Sequence, residues 1–218
     1  HYSTANDLAR LTTELIKNHP NHYEIYAERS FEYNGINQTN RNKLLWRDLS
    51  VDGVKTGYTK EAGYCLVASA KRDGMRLVSV VLGTASDQDR MKESQKLLSF
   101  GFRNYDTQLL YRANSEITRL KVFYGKSDDV SIIAPADVYV TAPRGDLESA
   151  VTELSVPKHL EAPINKNDVI GSLAVLLAGE DELIYETKVL AADEIREANL
   201  FGKVSDFFYL FYSELFEG

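Results

Sequence analysis

The chain is poor in cysteine and proline and has no long apolar run. It contains one cysteine, five prolines and thirteen glycines among 218 residues. Because Cys65 is alone, a disulfide within the chain is excluded, and its place among strand-like residues predicts a small buried hydrophobe. No stretch of eighteen apolar residues is present, which excludes a membrane-spanning helix in this sequence. The composition argues against disorder and indicates one large or two modest globular domains.

Positive charge is scarce in the second half. Residues 1–105 carry 15 Lys and Arg against 12 Asp and Glu, whereas residues 106–218 carry 10 against 20. The mildly basic first part suits an anionic substrate, and the acidic second part argues against nucleic acid as a partner. Two solvated surfaces of different composition remain the alternative. An initiating methionine is also lacking, and from the start at His1 we expect a processed or partial product.

A strand-like stretch carries a lysine, a hydroxyl and a glycine in a row, Lys55-Thr56-Gly57, followed by Tyr58. Lys55 supplies a fixed positive charge and Thr56 a hydroxyl donor, while Gly57 has no Cβ and lets a substrate backbone approach. If the strand lies at a sheet edge, the N–H of Tyr58 is free to point at a developing oxyanion. The pattern predicts a site for a carboxylate and an oxyanion. A chance tripeptide with an exposed strand lysine is the alternative.

This stretch and its surroundings resemble the D-alanyl-D-alanine carboxypeptidases, the low-molecular-mass penicillin-binding proteins of the peptidase S11 family. Lys-Thr-Gly is the third of three active-site motifs in that family, and the upstream run 41–46 and the opening residues 2–5 also match. The resemblance covers essentially the whole chain. The other two motifs, Ser-x-x-Lys and Ser-x-Asn, have no credible counterpart here. We therefore expect the nucleophilic serine and its lysine upstream of His1, and no catalytic residue in this chain.

The resemblance implies a two-step acyl transfer. A serine attacks the carbonyl between the two D-alanines of a peptidoglycan pentapeptide, the last D-alanine leaves, and water hydrolyses the acyl-enzyme. Penicillins and other β-lactams imitate that peptide end. In this scheme Lys55 stabilises the anionic substrate, Thr56 hydrogen-bonds its carboxylate, the Tyr58 N–H binds the oxyanion, and Arg41 and Arg90 favour the carboxylate. Surface salt bridges remain the alternative for the two arginines. No cofactor and no metal are implied.

Capping and periodicity in the first half predict helices attached to an antiparallel sheet. Thr4 and Asp7 form a capping box for a helix over residues 4–18, and Ser86 caps a second helix that reaches about Phe102. An Asn-Gly turn is predicted at residues 34–35 after a short strand at 30–33, and an Asp-Gly turn at 73–74 predicts a hairpin that joins strands at 64–70 and 75–82. The apolar face predicted for the first helix consists of Leu8, Leu11, Leu15 and Ile16. Residues 1–106 are thus predicted as the C-terminal part of a transpeptidase-like domain of the α+β class.

Short strands separated by turn residues follow at close spacing. They are predicted at 119–124, 130–133, 138–141, 150–154, 169–177 and 183–190. This texture predicts a small all-β, sandwich-like domain over residues 107–200, where the family has a β-rich second domain. No nucleophile–base or metal-ligand constellation is visible in it, and the isolated His159 is predicted as a surface or loop residue.

The end of the chain carries an apolar stripe. Within residues 203–217 the stripe consists of Val204, Phe207, Phe208, Phe211, Tyr212 and Leu215. Residues 201–218 are therefore predicted as an amphipathic helix. The family ends in such a helix on the outer face of the cytoplasmic membrane, which implies a periplasmic location and a membrane surface as partner. Lys203 is the sole cation of the segment, so hydrophobic insertion rather than anionic lipid has to hold it. Packing on its own domain is the alternative.

Two other functions are weighed against the carboxypeptidase. A serine β-lactamase shares Lys-Thr-Gly, but it requires a deacylating glutamate loop and ends shortly after the helix that follows the hairpin. This chain instead continues into a β-rich part. A non-catalytic peptidoglycan-binding or scaffolding protein fits a parent that truly lacks the serine motifs. The presence or absence of Ser-x-x-Lys in the parent separates these alternatives.

Overall fold

The computed structural model describes residues 2–177, 182–200, 202–204 and 206–207, and the chain divides into two compact units, His1–Asp106 and Thr107–Gly218. The first unit combines helices with short antiparallel sheets. Its elements are α1 Ala5–Asn18, α2 Pro20–Tyr23, a 3₁₀ turn Glu24–Ala27, β1 Ser30–Tyr33, β2 Ile36–Thr39, α3 Leu44–Arg47, β3 Val51–Thr59, β4 Gly63–Arg72, β5 Met75–Thr84 and α4 Asp87–Asn104.

The first helix begins at the predicted capping box. The Thr4 hydroxyl accepts a hydrogen bond from the Asp7 N–H at 3.1 Å, and the Asp7 carboxylate accepts one from the Thr4 N–H at 3.0 Å. These bonds satisfy N–H groups that the first helical turn leaves without a partner. The predicted apolar face was wrong in one member, because Leu11 is 65% exposed whereas Thr12 is buried. The face of α1 that meets the sheet is centred nearer to Thr12, which moves Leu11 to its outer margin.

The predicted hairpin at 73–74 and the predicted turn at 34–35 are confirmed, and the turn also joins two strands. β1 pairs with β2 around Asn34-Gly35, and β4 pairs with β5 around Asp73-Gly74. All four turn residues have positive φ, between 47° and 87°. Two-residue hairpin turns that match the strand twist require this conformation, which asparagine, aspartate and glycine adopt most readily. The turn residues thus set the register of both hairpins.

The strands β3, β4 and β5 form one antiparallel sheet in that order, and helices cover both of its faces. Along β4, Leu66, Ala68 and Ala70 pack with Met91 and Leu98 of α4. On the other face Val67 packs with Val54 and Tyr23, against residues of α1. Side chains alternate between the two faces of a strand, so adjacent residues of β4 enter different clusters. With both faces buried, ligands can reach this sheet only along its edges.

The second unit is all-β over most of its described length, as predicted. Its strands are β6 Tyr105–Tyr111, β7 Glu116–Phe123, β8 Asp129–Ile133, β9 Val138–Pro143, β10 Ala150–Ser155, β11 His159–Glu161, β12 Val169–Leu177 and β13 Glu182–Ala191. Six of them form a sheet in the order β10-β12-β13-β8-β7-β11, and β6 pairs with β9. The sequence missed β6 and β11, and it extended β7 by one residue, because Tyr124 has φ 60° and turns the chain. His159 is exposed, and its ring stands edge-on to Phe123 at 5.0 Å.

The predicted terminal helix lies mostly outside the described residues, and Phe208, Phe211, Tyr212 and Leu215 fall there. Residues 202–204 and 206–207 are helical. The Asp206 carboxylate accepts a hydrogen bond from the Tyr124 N–H at 2.6 Å. Lys203 forms an ion pair with Glu197 at 2.6 Å. These two contacts hold the start of the segment on the second unit.

Candidate active-site edge

The Lys-Thr-Gly run lies on β3, which pairs only with β4 among the described strands. Lys55, Gly57 and Tyr58 are exposed and Thr56 is half-buried. The Lys55 ammonium donates to the Thr56 carbonyl at 2.8 Å, so it stays on its own strand. On an edge strand, alternate backbone N–H and C=O groups point away from the sheet. The edge therefore offers a cation, a hydroxyl and the backbone of an edge strand side by side, and the substrate roles of the four residues stay a prediction.

Gly57 leaves a gap in the side-chain row of the edge. It pairs with Cys65 of β4, and a Cβ at Gly57 would lie 3.9 Å from the Cys65 Cβ. Cys65 is only partly buried, so the predicted buried cysteine was wrong. The physical reason is its partner, because a glycine has no side chain with which to cover the neighbouring strand. Next along the strands, the rings of Tyr58 and Tyr64 pack at 4.4 Å between centroids.

Arg90 of α4 binds the backbone of β3 and β4 near the Lys-Thr-Gly run. Its side chain is 7% exposed, and its guanidinium donates to the carbonyls of Gly57 at 3.1 Å and Cys65 at 3.2 Å. A further donor group pairs with the Asp87 carboxylate. Arg90 thereby joins both strands of the pair to the start of α4. The contacts seen are all within the protein, and the predicted bond from Arg90 to a substrate carboxylate stays untested.

Asp87 links two cations at this end of the sheet. Its carboxylate contacts Arg90 and lies 2.5 Å from the Lys43 ammonium. The hydrogen bond from Lys43 lowers the pKa of the Asp87 carboxyl, burial opposes this effect, and the bond and charge of Arg90 lower it further. A carboxyl with a lowered pKa in the folded state stabilises the fold above its unfolded pKa of about 3.9, and that contribution is lost as the pH falls through the folded value.

We expect Asp87→Asn to lower the unfolding free energy by about 1–2 kcal/mol near pH 6, because Arg90 and Lys43 lose a charged acceptor. The difference from the unsubstituted protein should shrink as the pH falls below about 3.9, and it should vanish below the lowered folded pKa of Asp87, where both forms lack the charge. Urea unfolding at a series of pH values measures this. Glu61→Gln removes one exposed carboxylate from the loop between β3 and β4 and controls for net charge. A difference that stays constant down to pH 3 would contradict the assignment.

A second polar network fixes the beginning of β3. Arg76 of β5 binds the Asp52 carboxylate with two nitrogens, at 2.9 and 2.7 Å, and also donates to the Ser69 hydroxyl at 2.8 Å. The Tyr23 hydroxyl donates to the same carboxylate at 2.8 Å. Burial raises the pKa of Tyr23 above its ordinary value, and Asp52 raises it too, so the hydroxyl remains a neutral donor. A bidentate arginine–carboxylate pair is directional as well as strong, so it orients the strand three residues before Lys55.

Asparagines connect the preceding loop to the same strand. The Asn42 side chain is 1% exposed. Its amide donates to the Gly53 carbonyl at 2.8 Å, and its side-chain oxygen accepts from the Leu44 N–H at 3.2 Å. The backbone N–H of Asn42 donates to the Asn40 side chain at 2.9 Å. Arg41 stands between these two asparagines and is exposed. The position of the Arg41 backbone is thus fixed from both sides, while its predicted contact with a substrate carboxylate stays untested.

The sequence located the edge but missed the residues that support it. Asp52, Asn42, Tyr23, Arg76 and Asp87 were not singled out. A signal existed for Asp52, which interrupts an otherwise apolar strand start, since charged residues in such positions are usually paired. Among the described residues, no group of three or more His, Cys, Asp or Glu is placed to hold a metal ion.

Lys-Thr-Gly is a motif that penicillin-binding proteins share with class A β-lactamases, and here it lies along the edge strand of an antiparallel sheet with helices on both faces. Comparison of the chain with known protein families and proteins identifies its family. Residues 1–86 match the D-alanyl-D-alanine carboxypeptidase family, Peptidase S11, and residues 105–197 match the penicillin-binding protein 5 C-terminal domain. The chain belongs to the Peptidase S11 family of D-alanyl-D-alanine carboxypeptidases, and its predicted family is confirmed.

Relatives match this chain over nearly its whole length. D-alanyl-D-alanine carboxypeptidase DacA of Escherichia coli (strain K12) is 42% identical, over 99% of this chain and 53% of its own length. DacA of Haemophilus influenzae is 39% identical, over 99% and 55%. Penicillin-binding protein 5 of Haemophilus influenzae has a solved structure with TM-score 0.76 and 38% identity, over 90% of this chain and 58% of that one. The chain thus spans about half the length of the curated relatives it matches, and the predicted α+β fold is confirmed.

Proposed function

We propose that this chain is the C-terminal part of a serine-type D-alanyl-D-alanine carboxypeptidase. The complete parent trims the terminal D-alanine from peptidoglycan stem peptides through an acyl-enzyme, and penicillins acylate the same serine. The observation that carries the proposal is the exposed edge of β3, where Lys55, Thr56 and the backbone of Gly57 and Tyr58 stand together. In this proposal the chain binds the substrate carboxylate and contributes one oxyanion donor, while the nucleophile belongs to the parent.

An extended peptide can add to β3 as a further strand. Main-chain hydrogen bonds along the edge would hold the peptide, and the charge of Lys55 would stabilise its terminal carboxylate. Arg90 and the Asp52–Arg76 pair hold both ends of the strand in place, so the donors are preorganised before the substrate arrives. The names of the relatives support this reaction class.

We expect that the 218-residue chain alone forms no covalent penicillin adduct. Ser-x-Asn is absent from it, and its one match to Ser-x-x-Lys, residues 155–158, lies at the end of β10 in the all-β second unit. The complete parent should gain the mass of one penicillin molecule. Intact-mass measurement before and after incubation tests both statements, with ring-opened penicillin as the control reagent. An adduct on any residue of this chain would disprove the proposal that the nucleophile lies in the parent outside this chain. A parent that carries Ser-x-x-Lys but gains no mass would favour the non-catalytic peptidoglycan-binding alternative.

The proposal extends to location: the parent lies in the periplasm, held on the outer face of the cytoplasmic membrane by residues 203–217. None of the helices in the described ranges is long and apolar enough to cross a membrane. At the start of the segment, Val204 and Phe207 are 48% and 56% exposed, as an interfacial helix requires. Lys203, the sole cation of the segment, pairs with Glu197, which leaves apolar burial as the source of affinity.

We expect the full chain to co-sediment with lipid vesicles and a version ending at Gly202 to stay in the supernatant. Burying one large apolar side chain contributes about 1.5–3 kcal/mol, so several of them can hold the protein at an interface. Because the segment is net negative, binding should be nearly the same at low and high salt. Ser213→Ala is a matched control for a polar position. If both lengths stay in solution the anchor is absent, and binding only to anionic vesicles at low salt would refute the hydrophobic mechanism.

A further inference from the structure

An exposed aromatic groove lies on the hairpin that precedes the Lys-Thr-Gly strand. All eight residues of β1 and β2 are exposed. Phe31 and Tyr33 are 65% and 73% exposed, and their rings are parallel within 9° at 6.5 Å between centroids. Together with Ile25 they form the apolar part of a groove of about 410 Å³. Clustered exposed apolar residues of this kind mark binding sites more often than isolated ones do.

The polar lining of the groove is neutral apart from one carboxylate. Ser30, Gln38 and Thr39 supply hydroxyl and amide groups, and Glu28 is the acidic member. No lysine, arginine or histidine lines it among the residues that the structure describes there. A groove without a cation does not suit a carboxylate or phosphate ligand. Aromatic rings with a few hydroxyl and amide partners suit an uncharged ring that has C–H faces and several hydroxyls, which is the chemistry of a sugar.

The groove is joined to the proposed active-site edge by hydrogen bonds. Asn40 lines the groove, and its amide donates to the Glu28 carbonyl at 2.9 Å. Its side-chain oxygen accepts from the N–H of Asn42, whose own amide binds the Gly53 carbonyl of β3. Two asparagines therefore hold the groove and the Lys-Thr-Gly strand in one fixed arrangement.

We propose that this groove is an accessory subsite for neutral sugar rings, the glycan part of the substrate whose peptide lies along β3. The inference rests on the proposed function for the identity of the peptide, and on the groove itself for the sugar. Phe31 and Tyr33 pack on the C–H faces of a ring, while Gln38 and Thr39 hydrogen-bond its hydroxyls. The subsite makes the parent prefer pentapeptides that are still attached to glycan.

Direct binding tests the groove independently of catalysis. The complete parent is titrated calorimetrically with the tetramer of N-acetylglucosamine, an uncharged linked sugar. Phe31→Ala and Tyr33→Ala should each raise the dissociation constant by roughly threefold to tenfold, the loss expected for one aromatic contact. Phe100→Ala is the matched control, since Phe100 is 57% exposed on α4 and lies outside the groove. Absence of binding, or equal affinity in all variants, overturns the proposal. Protection of the Phe31 and Tyr33 rings from hydroxyl-radical labelling in the sugar-free parent would also overturn it, because another part of the parent would then fill the groove.

A second readout separates this proposal from the proposed function. The ratio of kcat/KM for a sugar-linked pentapeptide over the free pentapeptide should fall roughly threefold to tenfold in Phe31→Ala and Tyr33→Ala and stay unchanged in Phe100→Ala. If neither substrate loses D-alanine, the proposed function fails, and the calorimetric result alone decides the groove. If both are cleaved and the ratio is the same in every variant, the groove proposal fails while the carboxypeptidase stands.

Discussion

Replacing Lys55 by alanine in the complete parent should slow acylation by penicillin and by D-alanyl-D-alanine peptides by about 10²–10³-fold. A fixed donor that faces a developing anion contributes roughly 2.7–4 kcal/mol when it behaves like an oxyanion-hole group. The fold should survive, because Lys55 is exposed and, among the described residues, its ammonium hydrogen-bonds only to the carbonyl of the next residue. Stopped-flow acylation rates, with circular dichroism for the fold, measure the effect.

The controls use the same strand and loop. Lys60→Ala removes an exposed lysine from the loop after β3 and should leave acylation unchanged within a factor of about two, since surface charges away from such sites have small effects. Lys55→Arg keeps the charge but replaces a compact ammonium by a wider fork, and we expect it to fail as well. A Lys55→Ala rate within about twofold of the unsubstituted enzyme would show that Lys55 is only an exposed strand residue. A twofold change corresponds to much less than the roughly 1.4 kcal/mol of activation free energy that changes a rate about tenfold.

Asn42→Ala should lower the unfolding free energy by about 2–5 kcal/mol, because it removes the partners of two buried backbone groups, each of which costs roughly 1–3 kcal/mol when left unsatisfied. The groups are the Gly53 carbonyl and the Leu44 N–H. Asn42→Asp keeps the acceptor for Leu44 but puts a buried carboxylate oxygen against the Gly53 carbonyl, so it should lower the unfolding free energy at least as much as Asn42→Ala does. Acylation should slow as well, because the start of β3 is no longer held.

Urea unfolding of the complete parent measures the predicted loss of unfolding free energy in Asn42→Ala. Asn37→Ala, an exposed amide on the hairpin strand β2, is the control and should stay within about 0.5 kcal/mol of the unsubstituted protein. If Asn42→Ala is equally harmless, the buried amide is not a support of the strand. If stability falls but acylation is unchanged in the folded fraction, Asn42 supports the fold without positioning the site.

The features that sequence predicted well are local. The Thr4–Asp7 box, the Ser86 cap and the two hairpin turns depend on residues within three or four positions of each other, and side-chain chemistry decides them. The Lys-Thr-Gly run was identifiable because its three residue types act in sequence order. The predicted role of the Tyr58 N–H requires this strand to lie at a sheet edge, and β3 is an edge strand in the strand order of the described residues.

The supports of the site depend on distant pairing. Arg76 and Asp52 are 24 positions apart and Arg90 and Gly57 are 33 apart. Such contacts exist only once strand register and helix docking are set, and no periodicity in the sequence encodes them. Leu11 shows the same limit on a helix. The other three predicted residues of the face pack against the sheet, but the sheet that α1 covers decides where that face is centred, and Leu11 falls outside it.

Because both faces of the β3–β4–β5 sheet are covered, its two edges, β3 and β5 among the described strands, are what this sheet can offer to an extended partner, and the Lys-Thr-Gly run lies along β3. Recognition along such an edge depends on backbone amides, which every residue supplies in nearly the same form. Point substitutions can alter the side chains beside the edge but hardly the amide ladder itself. For a compound that imitates an extended peptide with a carboxylate, resistance is therefore constrained. A substitution at Lys55 or Thr56 that prevents binding of such a compound also weakens the proposed binding of the natural peptide. Few single substitutions can therefore exclude the compound and still bind the peptide.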